Sequence, residues 1–342
     1  MIYKANIRKI SSQLILIEDK IFYIDDENNF CIDGEIFLKG NYSISYSIKN
    51  KIALLNENNF KTILINAINN KIENLDYVLI LLNDTNGIFL SNENNKWNII
   101  RVIKKNSEII NNKFDLNLIN KVLYNNNFLS TKENNLSCHQ LENAEELWKL
   151  DVSKLGEYLH LKGTEHEELR VGTLHELYTY NAILVALLRN DTIIGIDSAT
   201  GDVLWQKPLF LFISRPVQLN DKLYHIITGV DVKNMLQVYD LATGKLEREV
   251  EITHPVLKEN TFFTKRFIND TYIALTATKT GEILVINHKT AIIEDYAKLP
   301  NLKEKIPIDN IPQVHQNKVY QLDGEGTLYI FEKEEKISLT KV

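Results

Sequence analysis

Two His-Glu pairs are the first residues in this sequence whose types suggest chemistry. The pairs that begin at His166 and His175 start like a zinc-protease motif, in which a second histidine follows the first by four positions. Arg170 and Thr179 occupy those positions instead. Both pairs are therefore expected to be surface groups, and they predict no metal site.

The other histidines give no stronger signal for a metal. His225, His254, His288 and His315 fall in or beside different predicted strands. Histidines from several strands can meet at one ion, but metal sites usually also contain ligands a few positions apart. That close spacing is absent, so the sequence predicts neither a metal site nor a cofactor.

Motifs for phosphate binding and for nucleophilic catalysis are also missing. The segment 324–329 begins like a dinucleotide-binding loop but lacks the third glycine and lies between two predicted strands, which favours a hairpin turn. Adjacent glutamates at 145–146 and 334–335 fall at predicted turns, where nothing pairs them for acid–base catalysis. We therefore predict no catalytic residue and no enzyme activity.

The elements that carry these residues follow a repeated strand–turn–strand pattern. The clearest copy is IIGIDSATGDVLW at 193–205, the second is LQVYDLATGKLER at 236–248, and a weaker third is ILVINHKTAIIED at 283–295. The same turn position holds Asp, Asp and Asn in the three copies. The period of roughly 45 residues is typical of the blades of a β-propeller.

Further predicted hairpins extend the pattern along the chain. They cover 20–32, 51–65, 87–97, 136–148 and 327–337. Since the first two are only about 30 to 35 residues apart, we predict an all-β, single β-propeller of about seven four-stranded blades, with six or eight as alternatives. The domain is expected to cover 1–342, with a longer inter-blade insertion near 151–180. The segment 2–10 is predicted to add a strand to the last blade and close the ring.

The phrase Asp-x-Ala-Thr-Gly-x-x-Leu-Trp resembles the repeat of pyrroloquinoline-quinone-type β-propellers. In that family the Ala and Gly shape the turn, and the Trp docks on the adjacent blade. The clearest copy matches at Gly201 and Trp205, whereas the next two have Arg248 and Asp295 at the Trp position. The resemblance implies that Trp148 and Trp205 pack between blades rather than forming a sugar-binding platform.

The resemblance implies a binding surface rather than a quinone enzyme. Quinoprotein dehydrogenases with this repeat are exported, bind Ca²⁺ and often have adjacent cysteines, whereas the cysteines here are Cys31 and Cys138. Non-enzymatic relatives, such as the outer-membrane assembly lipoprotein, use the blades only for binding, but that lipoprotein needs a lipid-attachment cysteine near its start.

Composition limits the classes of partner. The chain has 45 acidic and 39 basic side chains, a net charge of −6, which disfavours nucleic acid as a partner. No apolar run is long enough to span a membrane, and the first residues lack the apolar core of a secretory signal. We therefore expect a cytoplasmic protein whose partner is another protein, with no nucleic acid or membrane involved.

The stretch LWKLDVSKLG at 147–156, the tandem repeats that follow it, the lack of an export signal and the mild acidity resemble uncharacterised propellers that accompany secreted polymorphic toxins in bacteria as cytosolic immunity partners. We therefore predict a non-catalytic protein-binding propeller, most specifically a cytosolic immunity protein that neutralises a cognate secreted toxin. The alternative is a propeller that binds a small molecule, such as a sugar or a quinone, in the central channel, or acts on it there as an enzyme. The candidate partner-binding rim is acidic and comprises Asp151, Glu157, His160, Glu165, His166, Glu167 and Glu168.

Overall fold

The computed structural model describes most of the chain. The described residues are 2–4, 14–18, 20–48, 50–75, 78–82, 86–93, 96–103, 109–112, 122–124, 127–140, 143, 145–156, 158–160, 163–189, 191–209, 216–228, 233–258, 267–300, 302, 306 and 310–332.

These residues form eight four-stranded antiparallel sheets, here called blades 1 to 8, and one two-stranded hairpin. Blade 1 contains β2 (Ile15–Ile17), β3 (Lys20–Ile24), β4 (Phe30–Ile32) and β5 (Glu35–Leu38), and blade 2 contains β6 (Tyr42–Ile48), β7 (Lys51–Asn56), β8 (Lys61–Asn66) and β9 (Ile72–Leu75). Blade 3 contains β10 (Val78–Leu82), β11 (Asn86–Glu93), β12 (Lys96–Ile103) and β13 (Ile109–Asn112), and blade 4 contains β14 (Val122–Tyr124), β15 (Asn127–Lys132), β16 (Asn135–Gln140) and β17 (Glu146–Asp151). The hairpin contains β18 (Tyr158–His160) and β19 (Glu168–Arg170). Blade 5 contains β20 (Leu174–Tyr180), β21 (Ile183–Leu188), β22 (Thr192–Asp197) and β23 (Val203–Pro208), and blade 6 contains β24 (Val217–Leu219), β25 (Lys222–Ile227), β26 (Met235–Asp240) and β27 (Leu246–Glu251). Blade 7 contains β28 (Phe267–Ile268), β29 (Tyr272–Thr276), β30 (Glu282–Asn287) and β31 (Ile292–Lys298), and blade 8 contains β32 (Gln313–His315), β33 (Lys318–Leu322), β34 (Leu328–Glu332) and β1 (Ile2–Lys4). Two short 3-10 turns cover Val152–Leu155 and Pro255–Lys258.

Burial distinguishes the strands within a blade. The second strand of blade 5, β21, has the sequence ILVALL and is buried at five consecutive positions, as expected for a strand covered on both faces. The fourth strand of blade 7, β31, instead alternates between exposed and half-buried positions. The fourth strands therefore lie at the outside of the molecule, and the continuous apolar runs lie inside.

The hydrophobic core is divided among the contacts between neighbouring blades. Six clusters of buried side chains join blades 1 and 2, 4 and 5, 5 and 6, 6 and 7, 7 and 8, and 8 and 1. In the last of these, Tyr320 and Leu328 pack with Tyr23 and Cys31. Because the eighth blade packs on the first, the sheets form a closed ring, and the predicted all-β propeller is confirmed.

The ring is closed by the start of the chain. Strand β1 pairs antiparallel with β34, with Ile2 opposite Phe331, and completes blade 8 as its outer strand. The Gln313 side chain adds a second link, because it donates to the carbonyl oxygen of Leu14 at 2.6 Å and accepts from the Leu16 amide at 3.0 Å. Closure by residues 2–4 of the predicted segment 2–10 is therefore confirmed. Residues 5–10 and the second half of the hairpin predicted at 327–337 lie outside the described residues.

The structure has eight blades, one more than the preferred sequence estimate of seven. The first three sequence hairpins pair the second and third strands of their blades, whereas the later repeats pair the third and fourth. The sequence distance from a hairpin of one kind to a hairpin of the other kind therefore does not equal the length of one blade. Blade 1 is also compact, because its last two strands are joined by Asp33 and Gly34 alone, both at positive φ.

One copy of the repeat turn was not recognised in the sequence because asparagines replace its Asp and Gly. In blade 5 the Asp197 carboxylate accepts from the backbone N–H two residues later at 2.8 Å, and Gly201 has a φ of 79°. In blade 2 the Asn66 side-chain oxygen makes the same bond at 3.0 Å, and Asn70 has a φ of 56°. Asparagine tolerates the left-handed region and can accept a local backbone hydrogen bond, so it replaces both Asp and Gly here.

Candidate protein-interaction surface

The candidate rim segment begins with a turn that fixes its base. The Asp151 carboxylate at the end of β17 accepts from the Ser153 amide at 3.0 Å and from the Ser153 hydroxyl at 2.6 Å. These hydrogen bonds hold the pKa of Asp151 below its usual value. Asp151 thus caps the 3-10 turn at 152–155, so its carboxylate is used within the segment.

Two further contacts attach this segment to the propeller. The Gln206 side chain on the outer strand of blade 5 donates to the Leu155 carbonyl at 3.1 Å. Gly172, where the segment returns, lies so close to the 3-10 turn that an added Cβ would be 2.8 Å from the Val152 carbonyl oxygen. Only glycine fits this approach without displacing the backbone, so the base of the hairpin is held on both sides.

The hairpin itself presents an apolar face. Leu159 lies directly opposite Leu169 in the β18–β19 register, and Val171 lies just beyond the end of β19. The three side chains are 43%, 62% and 39% exposed. Leu159 and Leu169 therefore form an exposed apolar pair on one face of the hairpin, because directly opposite residues of two paired strands point to the same face.

The tip of the hairpin is acidic. Glu165, Glu167 and Glu168 are exposed, and His166 lies 3.6 Å from Glu165. Glu167 also accepts from the Gly163 amide at 2.6 Å, which fixes the turn. The surface formed by Leu159, Leu169, Val171 and these tip residues is called the hairpin surface below.

The structure places the predicted rim residues unevenly. Glu165, His166, Glu167 and Glu168 meet at the tip, Asp151 lies at the base, and the backbone of His160 pairs with Glu168 in β18–β19. Glu157 lies outside the described residues, as does the side chain of His160. An inter-blade insertion was predicted near 151–180, but the last seven residues of that range form β20, the first strand of blade 5.

The sequence analysis selected the charged residues of the rim but did not select Leu159 and Leu169 of the apolar face. The pair Leu159 and Leu169 is separated by ten positions and becomes a pair only through strand register. The alternation of apolar residues at 159 and 161 and at 169 and 171 was the available signal for a short hairpin.

The histidines considered as metal ligands lie apart, each with its own partner. His225 is buried with Nδ1 3.2 Å from Gln237, His288 is buried with Nε2 3.0 Å from the Asn269 carbonyl, and His254 accepts from the Val256 amide. Burial holds the pKa of His288 below its ordinary value. Within the described residues, no three His, Cys, Asp or Glu side chains are grouped to hold a metal ion.

A buried Ser–His pair lies in blade 4. The Ser130 hydroxyl is 2.9 Å from the His139 ring, which stacks on Phe128 at a centroid distance of 5.0 Å. Ser130 is only 7% exposed. A nucleophile must reach its substrate, so we interpret this pair as a satisfied buried hydrogen bond.

The two tryptophans of the repeat pack between blades, as predicted. Trp148 is 7% exposed and its indole N–H donates to the Ser198 carbonyl in blade 5 at 2.9 Å. Trp205 donates in the same way to the Ala242 carbonyl in blade 6 at 2.9 Å. Neither ring is available as a flat sugar-binding platform.

The remaining sequence features are structural. The turn at 323–327 joins β33 to β34, so the glycine-rich segment there is a hairpin turn as predicted. Cys31 and Cys138 are free buried thiols, and burial raises the pKa of Cys138 to about 11. No helix in the described part of the chain is long and apolar enough to cross a membrane.

Comparison with solved structures gives propellers over nearly the whole chain. Sqt1 from Saccharomyces cerevisiae superposes with a TM-score of 0.54 at 9% identity, covering 98% of each chain. BamB from Moraxella catarrhalis gives a TM-score of 0.50 at 13% identity and also covers 98% of each chain. The shared fold is the β-propeller.

A designed protein gives a higher similarity. The computationally designed Ika8 protein has a TM-score of 0.60 at 10% identity, covering 95% of this chain and 97% of its own. The sequence matches no protein-family model, and the comparison with curated proteins gives no match. At these identities the likeness is one of fold alone.

Proposed function

We propose that this chain is a non-catalytic propeller that binds another protein through the hairpin surface. The observation that carries the proposal is the exposed apolar face of β18–β19, formed by Leu159 and Leu169, with the exposed Val171 just beyond β19. A two-stranded hairpin is marginally stable in water by itself, and an apolar face with a polar edge is typical of a binding surface.

The hairpin surface is also prepared for binding. Its base is fixed by Gly172 and by the Gln206 hydrogen bond, and its tip by Glu167, so docking needs little ordering of this segment. Rigid presentation lowers the entropic cost of association. This favours use of the hairpin as a preformed contact.

The charge of the tip specifies the partner's chemistry. Three exposed glutamates adjoin the apolar face, and the chain has a net charge of −6. A partner with an apolar patch bordered by Lys or Arg complements this surface, and opposite charge speeds encounter.

The narrower proposal is that the partner is a cognate secreted bacterial toxin and that this chain is its cytoplasmic immunity protein. Support comes from the resemblance to such propellers and from the acidic tip. The segment 147–156, part of that resemblance, supplies β17 and the 3-10 turn below the hairpin.

The test begins with capture of partners by the tagged full chain, followed by affinity measurement with the purified partner. Leu169→Ser is expected to weaken binding by at least about tenfold, since a buried apolar anchor is worth more than 1.4 kcal/mol. Leu204→Ser is the matched control, because Leu204 is 51% exposed on the outer strand of blade 5. Equal affinity for the Leu169→Ser and wild-type chains would refute the hairpin surface.

The immunity proposal needs a separate readout. Co-expression with the captured partner should rescue growth of cells that produce the partner alone, and Leu169→Ser should remove the rescue. A partner that is harmless by itself would refute immunity while leaving protein binding intact. A purified chain that copurifies with a sugar or quinone and no protein would favour the small-molecule alternative.

A further inference from the structure

The hairpin β18–β19 differs from the other strands of the described chain in its pairing. Every other described strand belongs to a four-stranded blade, whereas β18 and β19 pair only with each other. Each of the two therefore has one edge of backbone N–H and C=O groups that lies beside no other described strand. Such a row of groups is a template on which another extended chain can pair. The hairpin thus offers a strand edge in addition to its apolar face.

The outer strands of five blades are less suited to such pairing. In blades 1, 4, 5, 6 and 7, the outer strand pairs with its neighbour across a β-bulge. A bulge bends and twists an exposed edge, which hinders the addition of another strand. The three residue pairs of β18–β19 follow one another without a bulge. The hairpin edge is therefore regular where these blade edges are not.

An edge of about three residues is long enough to hold a strand in this protein. Strand β1 pairs with β34 through three residue pairs, from Ile2 opposite Phe331 to Lys4 opposite Tyr329, and this pairing closes the ring. Strand β19 also has three residues, and the exposed Val171 continues the chain beyond it. A short extended segment therefore matches the length of this edge.

The apolar face favours β19 over β18 as the strand that receives the added segment. Leu169 on β19 is 62% exposed, whereas Leu159 on β18 is 43% exposed. A strand paired with β19 places one of its side chains about 5 Å from Leu169. Pairing on β19 therefore covers the more exposed leucine. It also converts a marginally stable two-stranded hairpin into a three-stranded sheet.

The tip of the hairpin sets the charge of the added segment. Glu167 immediately precedes β19 and accepts from the Gly163 amide, a neutral donor that does not compensate its charge. Glu165 lies beside His166, and Glu168 has a further interaction within the chain, so the complement is assigned to Glu167. A Lys or Arg at one end of the added strand complements this carboxylate.

We infer that the protein partner supplies an extended segment that adds to β19 as a third strand of the hairpin. An apolar residue of the segment lies beside Leu169, and a Lys or Arg lies beside Glu167. The inference rests on the proposed function, because it specifies how the hairpin surface holds its partner. Backbone hydrogen bonds along β19 supply affinity, and the side chains beside Leu169 and Glu167 supply specificity.

The first test uses the blocked peptide Lys-Val-Thr-Val-Lys with the full-length chain. Saturable binding is expected in an NMR titration, with slower hydrogen exchange at every second amide of 168–171, because the alternate amides face β18. The same peptide with N-methyl groups on its threonine and on the following valine lacks one donor on each edge. It should bind at least about tenfold more weakly. Equal binding of the N-methylated peptide would overturn strand addition.

Two further comparisons test the side chains. Glu-Val-Thr-Val-Glu should bind more weakly than the lysine peptide, and equal binding would overturn the charge assigned to the segment. Leu169→Ser should weaken binding of Lys-Val-Thr-Val-Lys, whereas Leu204→Ser, the exposed control on β23, should bind it as the wild-type chain does. Equal losses in both variants would overturn the placement beside Leu169.

The captured partner separates this inference from the proposed function. In the complex, the same alternate amides of 168–171 should exchange at least about tenfold more slowly than in the free chain. Binding that Leu169→Ser weakens but that leaves this exchange unchanged would overturn strand addition and leave the hairpin surface intact. Binding that Leu169→Ser does not change would refute the hairpin surface itself. A free chain that dimerises with protection of these amides would make a second copy the occupant and overturn the partner segment.

Discussion

The contact between blades 5 and 6 differs from that between blades 6 and 7 at three linked positions. Trp205 lies between two glycines: a Cβ on Gly195 would collide with its indole, and a Cβ on Gly244 would lie 2.5 Å from it. In the next contact, Arg248 replaces the Trp, Val238 replaces Gly195, and Ala291 replaces Gly244.

The second contact is made by a hydrogen bond rather than by a stacked ring. The Arg248 guanidinium donates to the His288 carbonyl at 2.8 Å. Since it does so without an indole over the turn, the turn accommodates Ala291, even at a φ of 61°. The difference teaches that the glycines of the repeat are required by the tryptophan as well as by the turn.

Removing the ring should have the largest effect. Trp205→Ala is expected to lower the free energy of unfolding by about 3 kcal/mol, because it leaves a void between the blades and removes the bond to Ala242. Arg248→Ala should cost only about 1 kcal/mol. Urea unfolding of both variants measures the difference, and equal losses would contradict the comparison.

Adding a methyl group at the turn should have the next largest effect. Gly244→Ala is expected to cost about 2 kcal/mol, because it places a Cβ against the Trp205 ring and puts alanine in the left-handed region. In the Trp205→Ala background the cost should fall, since the collision is gone. A double-mutant cycle with no coupling would show that the ring and the glycine act independently.

The pH dependence of stability tests a further difference between the two contacts, because the turn of blade 7 has His288 where the turn of blade 6 has Leu241. Burial keeps the folded-state pKa of His288 below its usual 6.5, so the unfolded chain binds more protons as the pH falls below that value. Stability is therefore present above pH 6.5 and declines below it. His288→Leu should flatten this decline between about pH 7.5 and 5 in thermal unfolding, and an unchanged slope would exclude His288 as its source.

The smallest effect is expected at Ala291. Replacement by glycine relieves the left-handed backbone but removes a buried methyl group and adds unfolded-state entropy, so the free energy of unfolding should change by less than about 0.5 kcal/mol. Measured beside Gly244→Ala, this near-neutral change sharpens the contrast. A loss above 1 kcal/mol would mean that Ala291 is as constrained as Gly244.

Much of the fold was predictable because its signals are local. The Asp-x-Ala-Thr-Gly turn depends on an acceptor side chain and a left-handed residue within five positions, and the apolar strands on either side are continuous. The docking of Trp205 followed from the repeat register. In blade 2 the hairpin at 51–65 was predicted, but the repeat turn that follows it was not recognised, because Asn66 and Asn70 take the places of Asp and Gly there.

The candidate surface was less predictable because it depends on pairing. The hairpin surface joins Leu159 to Leu169 through strand register. Local periodicity gives the strands but not which positions meet. The requirement for glycine at position 195 was not predicted either. It arises because the Trp205 ring lies across the same blade and leaves no room for a side chain there.

The pairing of β1 with β34 imposes an order of events on synthesis. Ile2 is translated long before its partner Phe331, so β1 must wait as an unpaired edge while the blades between the two strands are synthesised. The ring can lock only after β34 has been translated. A domain fused directly before Ile2 would therefore be attached to the strand that closes the ring rather than to a passive tail.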